Sequence, residues 1–295
     1  MNTPEYTVIE NEEHGYHHLD PIPTDDVLGE FYQSQYPELL EEGELADDVS
    51  RLLSGGNAAK TEREWRRSTW YNDYLHIIEN QYPDANRVLD VGCGTGEFLQ
   101  YVEYHGYEAV GVEPSERIGE AARDKGLTVY QDTVEQFAQS RDTEFDVITM
   151  FNVLEHVPNP NEVLRAVKEI LTPGGVLVVK TPNEFNPFQI AAASHLDLDR
   201  WWITAPTHIF YFDFDSLGSL LNDIGFDIFQ SIADFPMSLF LLMGENYVTN
   251  GEIGTDCHNR RVSFEQSIQN ETRREFYSQL ADAKLGRNCT LFATL

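Results

Sequence analysis

Val88-Leu89-Asp90-Val91-Gly92-Cys93-Gly94-Thr95-Gly96-Glu97-Phe98-Leu99 reads as a buried strand that turns through three glycines into a helix. Val88, Leu89 and Val91 supply the apolar strand, and Phe98, Leu99 and Val102 recur on one helical face. Glycines at alternate positions let the backbone approach a ligand where a side chain would collide. Such a turn, opening a helix, suits a nucleotide-like ligand. A dinucleotide fingerprint sets its third glycine one residue later, as GxGxxG. Here the spacing is GxGxG, with Asp90 two residues before Gly92.

From Arg87 onward, strand and helix patterns alternate. Strands are expected at 87–92, 108–113, 127–130, 145–150 and 176–181, with a sixth after Gly225-Phe226. Ser115 and Asp213 stand where helix caps belong, and Val163, Leu164, Val167 and Ile170 form the apolar face of a helix over 160–171. The alternation predicts an α/β fold, a doubly wound, mostly parallel seven-stranded sheet. Its last strand, antiparallel and at the edge, is expected near Thr290-Leu291-Phe292-Ala293. Residues 1–60 read as an acidic helical extension or lid, with Thr24 capping a helix that carries Leu28, Phe31 and Tyr32. Thr61-Glu62-Arg63-Glu64 reads as a capping box opening a helix through Trp65, Leu75 and Ile78. The Rossmann-like core is expected over 61–234. Residues 235–295 would hold an insertion, with a helix from Ser263 that has Gln266 as its capping-box partner, and the final strand.

The chain has 295 residues and a net charge of −30, from 50 acidic and 20 basic side chains. Its lysines are Lys60, Lys125, Lys168, Lys180 and Lys284. So anionic a surface repels nucleic-acid phosphates and anionic membranes. The acid-rich, lysine-poor balance resembles that of proteins from a salt-rich cytoplasm. Cys93, Cys257 and Cys289 form no CxxC pair, which argues for a reducing compartment and against structural zinc. No signal peptide and no membrane-length apolar run is present, so a cytoplasmic protein is expected.

The string 88–99 resembles motif I of the class I S-adenosylmethionine (AdoMet) dependent methyltransferases. Phe151-Asn152-Val153-Leu154-Glu155-His156-Val157-Pro158-Asn159-Pro160 is similar to the segment after the fourth strand in ubiquinone-type and sugar or natural-product methyltransferases. The likeness covers residues 85–182 well and 205–232 more loosely. It implies AdoMet as cofactor, S-adenosylhomocysteine as product, and a small-molecule acceptor such as a sugar, glycan, quinone or natural product, with O-methylation foremost.

By this resemblance, Gly92, Cys93, Gly94 and Gly96 pass under the methionine part of AdoMet, and Asp90 orients the loop or meets the amino group. Glu113, followed by Pro114, ends the second strand, where a carboxylate accepts from ribose hydroxyls. Asp132 or Thr133, by side chain, and Val134, by its amide, would read the adenine. Phe151 and Asn152 would lie against the cofactor. His156 faces the pocket or serves as a capping or buried structural histidine. His208 is the candidate general base, or a histidine bonded to backbone in a packed loop. Chain added after the fifth and sixth strands would wall the acceptor site. Asn183, Trp201, Trp202 and Phe210 are its candidate lining.

Residues His14 to Thr24, with Phe31, Tyr32 and Tyr36, look like the leader of a subset of these enzymes. In some relatives that leader binds zinc through paired cysteines, but this chain has none before Cys93, so no metal is expected. No Asp-Pro-Pro-Tyr-like motif follows the fourth strand, which argues against nucleobase or amide methylation. Two other readings are a non-catalytic AdoMet-binding partner protein and an NAD-linked enzyme, the latter disfavoured by GxGxG.

The charge pattern predicts stability that depends on salt. At roughly molar potassium chloride the Debye length falls to about 3 Å and self-repulsion is screened. The melting temperature should therefore rise substantially between dilute buffer and that concentration, as calorimetric scans would show. A flat curve would remove the link between the acidic surface and salt.

Overall fold

The computed structural model describes residues 6–30, 51–52 and 55–295. The chain opens with a hairpin, β1 (Thr7–Glu10) and β2 (His17–Asp20), then α1 (Asp25–Glu30). Helices α2 (Gly56–Ser68) and α3 (Trp70–Gln81) lead into the alternating core. There β3 (Arg87–Val91), α4 (Glu97–Tyr104), β4 (Glu108–Val112), α5 (Glu116–Arg123), β5 (Val129–Tyr130) and α6 (Val134–Ser140) follow in turn. Next come β6 (Phe145–Phe151), α7 (Pro160–Ile170), β7 (Leu171–Pro182), α8 (Pro187–Leu196), β8 (Phe210–Tyr211) and α9 (Phe214–Ile224). The chain ends with β9 (Asp227–Ala233), α10 (Ser238–Leu242), α11 (Gly251–Ser267), α12 (Asn270–Asp282) and β10 (Asn288–Thr294).

Seven strands form one sheet in the order β5-β4-β3-β6-β7-β10-β9. Strands β3 to β7 pair in parallel, and β10 runs antiparallel to both β7 and β9. The last strand is thus antiparallel, as expected, but interior; β9 takes the edge. Full burial of Leu291, Phe292 and Ala293 accounts for this, since an edge would expose one flank. Side chains alternate between faces along each strand. Leu89, Ile148, Leu177 and Val179 join the apolar cluster under α7 and α9, while Val88, Val147, Val176 and Val178 join the one under α3 and α4. Both faces are covered, so these strands read as continuous apolar runs.

Several local expectations change. The N-terminal extension begins as a β-hairpin, and β2 pairs with β8 through His17↔Tyr211 and His18↔Phe210 to make a second, three-stranded sheet. Phe31, Tyr32 and Tyr36 lie outside the described residues. Thr61 sits inside α2, which starts at Gly56, and the chain breaks helical geometry at Thr69 before α3. Ser263 and Gln266 lie within α11, whose true cap is Asn250, accepting from Glu252 and Ile253. Asp213 does cap α9, in a reciprocal box with Ser216.

Buried ion pairs fasten α11 and α12 to the N-terminal helices. Arg273 donates through Nε to Asp73 at 2.7 Å and through a second nitrogen at 2.9 Å, with both side chains almost wholly buried. Arg261 bridges Asp234 and Glu265, each at 3.0 Å, and Glu265 also accepts from Trp65 at 2.6 Å. Breaking a buried pair strands the partner charge. Arg273→Ala should therefore destabilise the fold by about 3–5 kcal/mol in urea unfolding, whereas Asp73→Leu with Arg273→Leu should recover much of that loss. Equal unfolding midpoints for Arg273→Ala and the parent would refute this role.

Candidate functional site

The glycine turn is held where β3 and β4 end side by side. Gly92 and Cys93 both donate their amides to the Val112 carbonyl, at 2.8 and 3.2 Å. Gly92, Gly94 and Gly96 all have left-handed φ, of 66°, 55° and 77°. A Cβ on Gly92 would lie 2.7 Å from Val153, and one on Gly96 would lie 2.2 Å from Leu127. At Gly94 nothing lies within 4 Å. Two glycines thus allow protein to pack closely, and the third leaves clear space above the loop, where a ligand can approach.

Glu113, just past β4, turns its carboxylate to this loop. It accepts from the Gly94 amide at 3.0 Å and from the Ser115 amide at 2.9 Å. Burial raises its pKa, and those two amides oppose the rise. Pro114 is exposed between Glu113 and Ser115. Asp90 is fully buried under the turn and accepts from Thr149 at 2.6 Å. Burial pushes its carboxyl up to about 7; the Thr149 bond opposes this, and nearby Glu113 adds to it. Cys93 packs where a Gly111 side chain would stand, and burial pushes its thiol well up.

Beyond β5, the candidate adenine readers already have partners. Asp132 pairs with Arg141 at 2.9 Å, and Thr133 caps α6 in a reciprocal box with Gln136. Val134 opens that helix, where first-turn amides have no partner within the helix. The amide is therefore the group best suited to an incoming acceptor atom.

Phe151 ends β6 with its ring edge-on to Phe98 at 5.0 Å and to Trp70 at 5.7 Å. Asn152 has a left-handed φ of 57°; its amide donates to the Lys180 carbonyl, and its side chain donates to Glu155 Oε1 at 3.0 Å. Glu155 is 1% exposed, and its Oε2 has no hydrogen-bond partner among the described residues. The Glu155 carbonyl accepts the amides of Ile209 and Phe210, which docks the segment after His208 against the end of β6. His156 Nδ1 lies 2.8 Å from the Thr207 carbonyl and so must donate, which leaves Nε2 with its lone pair. The His156 and His208 rings meet edge to face at 4.8 Å.

His208 differs from a ready base. Burial, with a smaller contribution from His156, lowers its pKa to about 3, so near neutrality it is an uncharged imidazole of weak basicity. Its Nδ1 is buried with no partner among the described residues. Other acceptor candidates pack instead. Asn183 is fully buried and donates to the Lys284 and Gly286 carbonyls, tying the end of β7 to the turn before β10. Phe210 lies in the core between Tyr16 and Phe212. Asn183 Oδ1, however, has no hydrogen-bond partner among the described residues. Trp202 packs with Leu19 and Tyr211 while its indole N–H lacks a partner among the described residues; half-buried Trp201 stands edge-on to it. Sequence reasoning missed Glu184, buried beside Gln189 and raised to about 8 by burial, with the Gln189 bond opposing.

In sequence and fold the chain is similar to known methyltransferases. A family model described as a methyltransferase domain matches residues 38–231. A ubiquinone biosynthesis O-methyltransferase of Alkalilimnicola ehrlichii is 34% identical over 123 residues, covering 38% of this chain and 49% of that protein. One from Roseobacter denitrificans is 33% identical over 152 residues, covering 48% and 60%. The chain spans about half the length of the curated relatives it matches. In fold it is similar to an AdoMet-dependent methyltransferase from Archaeoglobus fulgidus, at a TM-score of 0.52 and 19% identity over 79% of this chain and 94% of that one. The plantazolicin methyltransferase BamL, solved with S-adenosylhomocysteine, gives 0.50 and 13% over 88% and 98%.

Gly94→Val and Glu113→Ala should each weaken S-adenosylhomocysteine binding at least tenfold, about 1.4 kcal/mol. Calorimetric titration of folded variants checks both, and unchanged affinity would remove that residue from the site.

Proposed function

The chain belongs to the methyltransferase-domain family, and we propose that it transfers the methyl group of AdoMet to a hydroxyl oxygen of a small-molecule acceptor. That it is an AdoMet-dependent methyltransferase follows from the family. The choice of oxygen is supported by the relatives named ubiquinone biosynthesis O-methyltransferases. The observation that carries the reading is the pairing of the Gly92–Gly96 turn with Glu113 at adjacent strand ends. An ionised carboxylate offers about four lone-pair sites. Two take the Gly94 and Ser115 amides, which leaves capacity for the ribose hydroxyls. Open space over Gly94 suits the methionine part, and the Val134 amide suits an adenine ring nitrogen.

The sulfonium already activates its methyl, so the protein chiefly aligns oxygen, carbon and sulfur. Such positioning can supply about 7–11 kcal/mol. Support for an acceptor beyond the ends of β6 and β7 comes from the polar atoms gathered there. Glu155, His208, Trp202, Gln189 and Tyr211 each bury an atom that lacks a partner among the described residues. An acceptor bearing hydroxyls would satisfy such atoms, and Trp201 and Trp202 offer ring faces. The three cysteines are free and buried, which supports a reducing cytoplasm as the setting. Among the described residues, no helix is long and apolar enough to cross a membrane.

Incubation with AdoMet and a panel of phenols, catechols and sugars should yield a methyl ether and S-adenosylhomocysteine in equal amounts, read by mass spectrometry. An N-methylated product, or none from any hydroxyl acceptor while amines react, would overturn the proposal.

A further inference from the structure

Asn72, His76 and Glu79 of α3, His105 just past α4, and Asn270 and Arg274 of α12 line a surface cavity of about 280 Å³. We propose that this cavity binds a small zwitterion of amino-acid size, with one carboxylate and one ammonium group. Its volume is close to the lower end for small-molecule sites, roughly 300–1,000 Å³. None of these residues belongs to the methyl-transfer site, so the inference is independent of that reading.

The cation of the cavity is Arg274. It neighbours Arg273 on α12, and both reach Asp73. Arg273 engages the two Asp73 oxygens at 2.7 and 2.9 Å, which matches the charge of that carboxylate. Arg274 adds one bond to Asp73 at 3.2 Å and bonds to nothing else among the described residues. Its charge is therefore surplus, and most of its N–H donors are available. A guanidinium fork suits the two oxygens of a carboxylate. The anion is Glu79, exposed near the end of α3. It accepts a long 3.4 Å bond from the Tyr107 hydroxyl and has lone pairs to spare.

Uncharged groups set the orientation. Asn80 donates to His76 Nε2 at 3.1 Å, so in the uncharged ring the proton lies on Nδ1, as a donor. His105 Nδ1 donates to the Tyr101 carbonyl at 2.8 Å, so Nε2 keeps its lone pair. The two rings thus offer a carboxylate one further donor and an ammonium one further acceptor. Asn270 donates to Asn72 at 2.8 Å and ties α12 to α3 along one wall. Buried Leu75 and Tyr101 supply an apolar floor. Other ligand classes fit worse. A phosphate dianion meets Glu79, a metal cation meets Arg274, and an apolar molecule finds little apolar wall. Opposite charges held apart on one rim call for opposite charges on one ligand.

The test uses the full chain saturated with S-adenosylhomocysteine. It is titrated calorimetrically with glycine, L-serine, L-glutamine, L-methionine, β-alanine and 4-aminobutanoate, which vary side chain and charge separation. At least one should bind one to one. The amide and the N-acetyl derivative of that compound each lack one charge and should bind at least tenfold more weakly. Arg274→Gln and Glu79→Gln should each weaken the zwitterion at least tenfold, with S-adenosylhomocysteine binding retained as proof of folding. Arg274→Gln should also erase the preference for the acid over its amide, and Glu79→Gln the preference for the amine over its N-acetyl form. No binding by any of the six, equal affinity for the derivatives, or binding that survives either substitution would overturn the site.

Discussion

The passage from β3 into α4 must be made in five residues, Gly92 to Gly96, and three of them adopt left-handed φ. Only glycine does so at little steric cost. The constraint fixes where β3 stops and leaves the Gly94 amide within reach of Glu113 at the end of β4. Val153 and Leu127 press against the turn from either side, so its shape is enforced by the β5 and β6 connections as well as by its own residues. Asp90 beneath it is locked to Thr149 of β6. The geometry of the turn is thus an outcome of the packing around it.

The region beyond the ends of β6 and β7 is organised differently. There, loops meet the strand ends and polar contacts do most of the positioning. The Glu155 carbonyl gathers two amides from the 208–210 region, Thr207 orients His156, and Asn152 steadies the Glu155 carboxylate. Polar networks in a dry setting specify geometry strongly when every member is satisfied. Here Glu155 Oε2 and His208 Nδ1 remain without a partner among the described residues.

Much of the sheet was legible because strands covered on both faces read as apolar runs. Val88-Leu89, Val147-Ile148 and Val176 to Val179 left little choice. The hairpin at 7–10 and 17–20 was not legible, since Thr7-Val8-Ile9-Glu10 and His17-His18-Leu19-Asp20 are short and largely polar and depend on Phe210-Tyr211 for pairing. Capping signatures misled at Thr61 and Ser263, where a side chain with the right spacing lies inside a longer helix. The glycine turn and the approach of Glu113 to it were readable from local motifs. The surroundings of Asn183, Phe210 and His208 were not, because burial and distant partners set them.

The link between the small sheet and the core has a kinetic meaning. His14 Nδ1 and Ser219 Oγ lie 3.1 Å apart although 205 positions separate them in sequence, and β2 meets β8 across a similar span. Closing so long a loop costs entropy that only later contacts repay. A chain leaving the ribosome has made residues 7–20 long before β8 exists for them to pair with. Those residues can complete the small sheet only after β8 has been made.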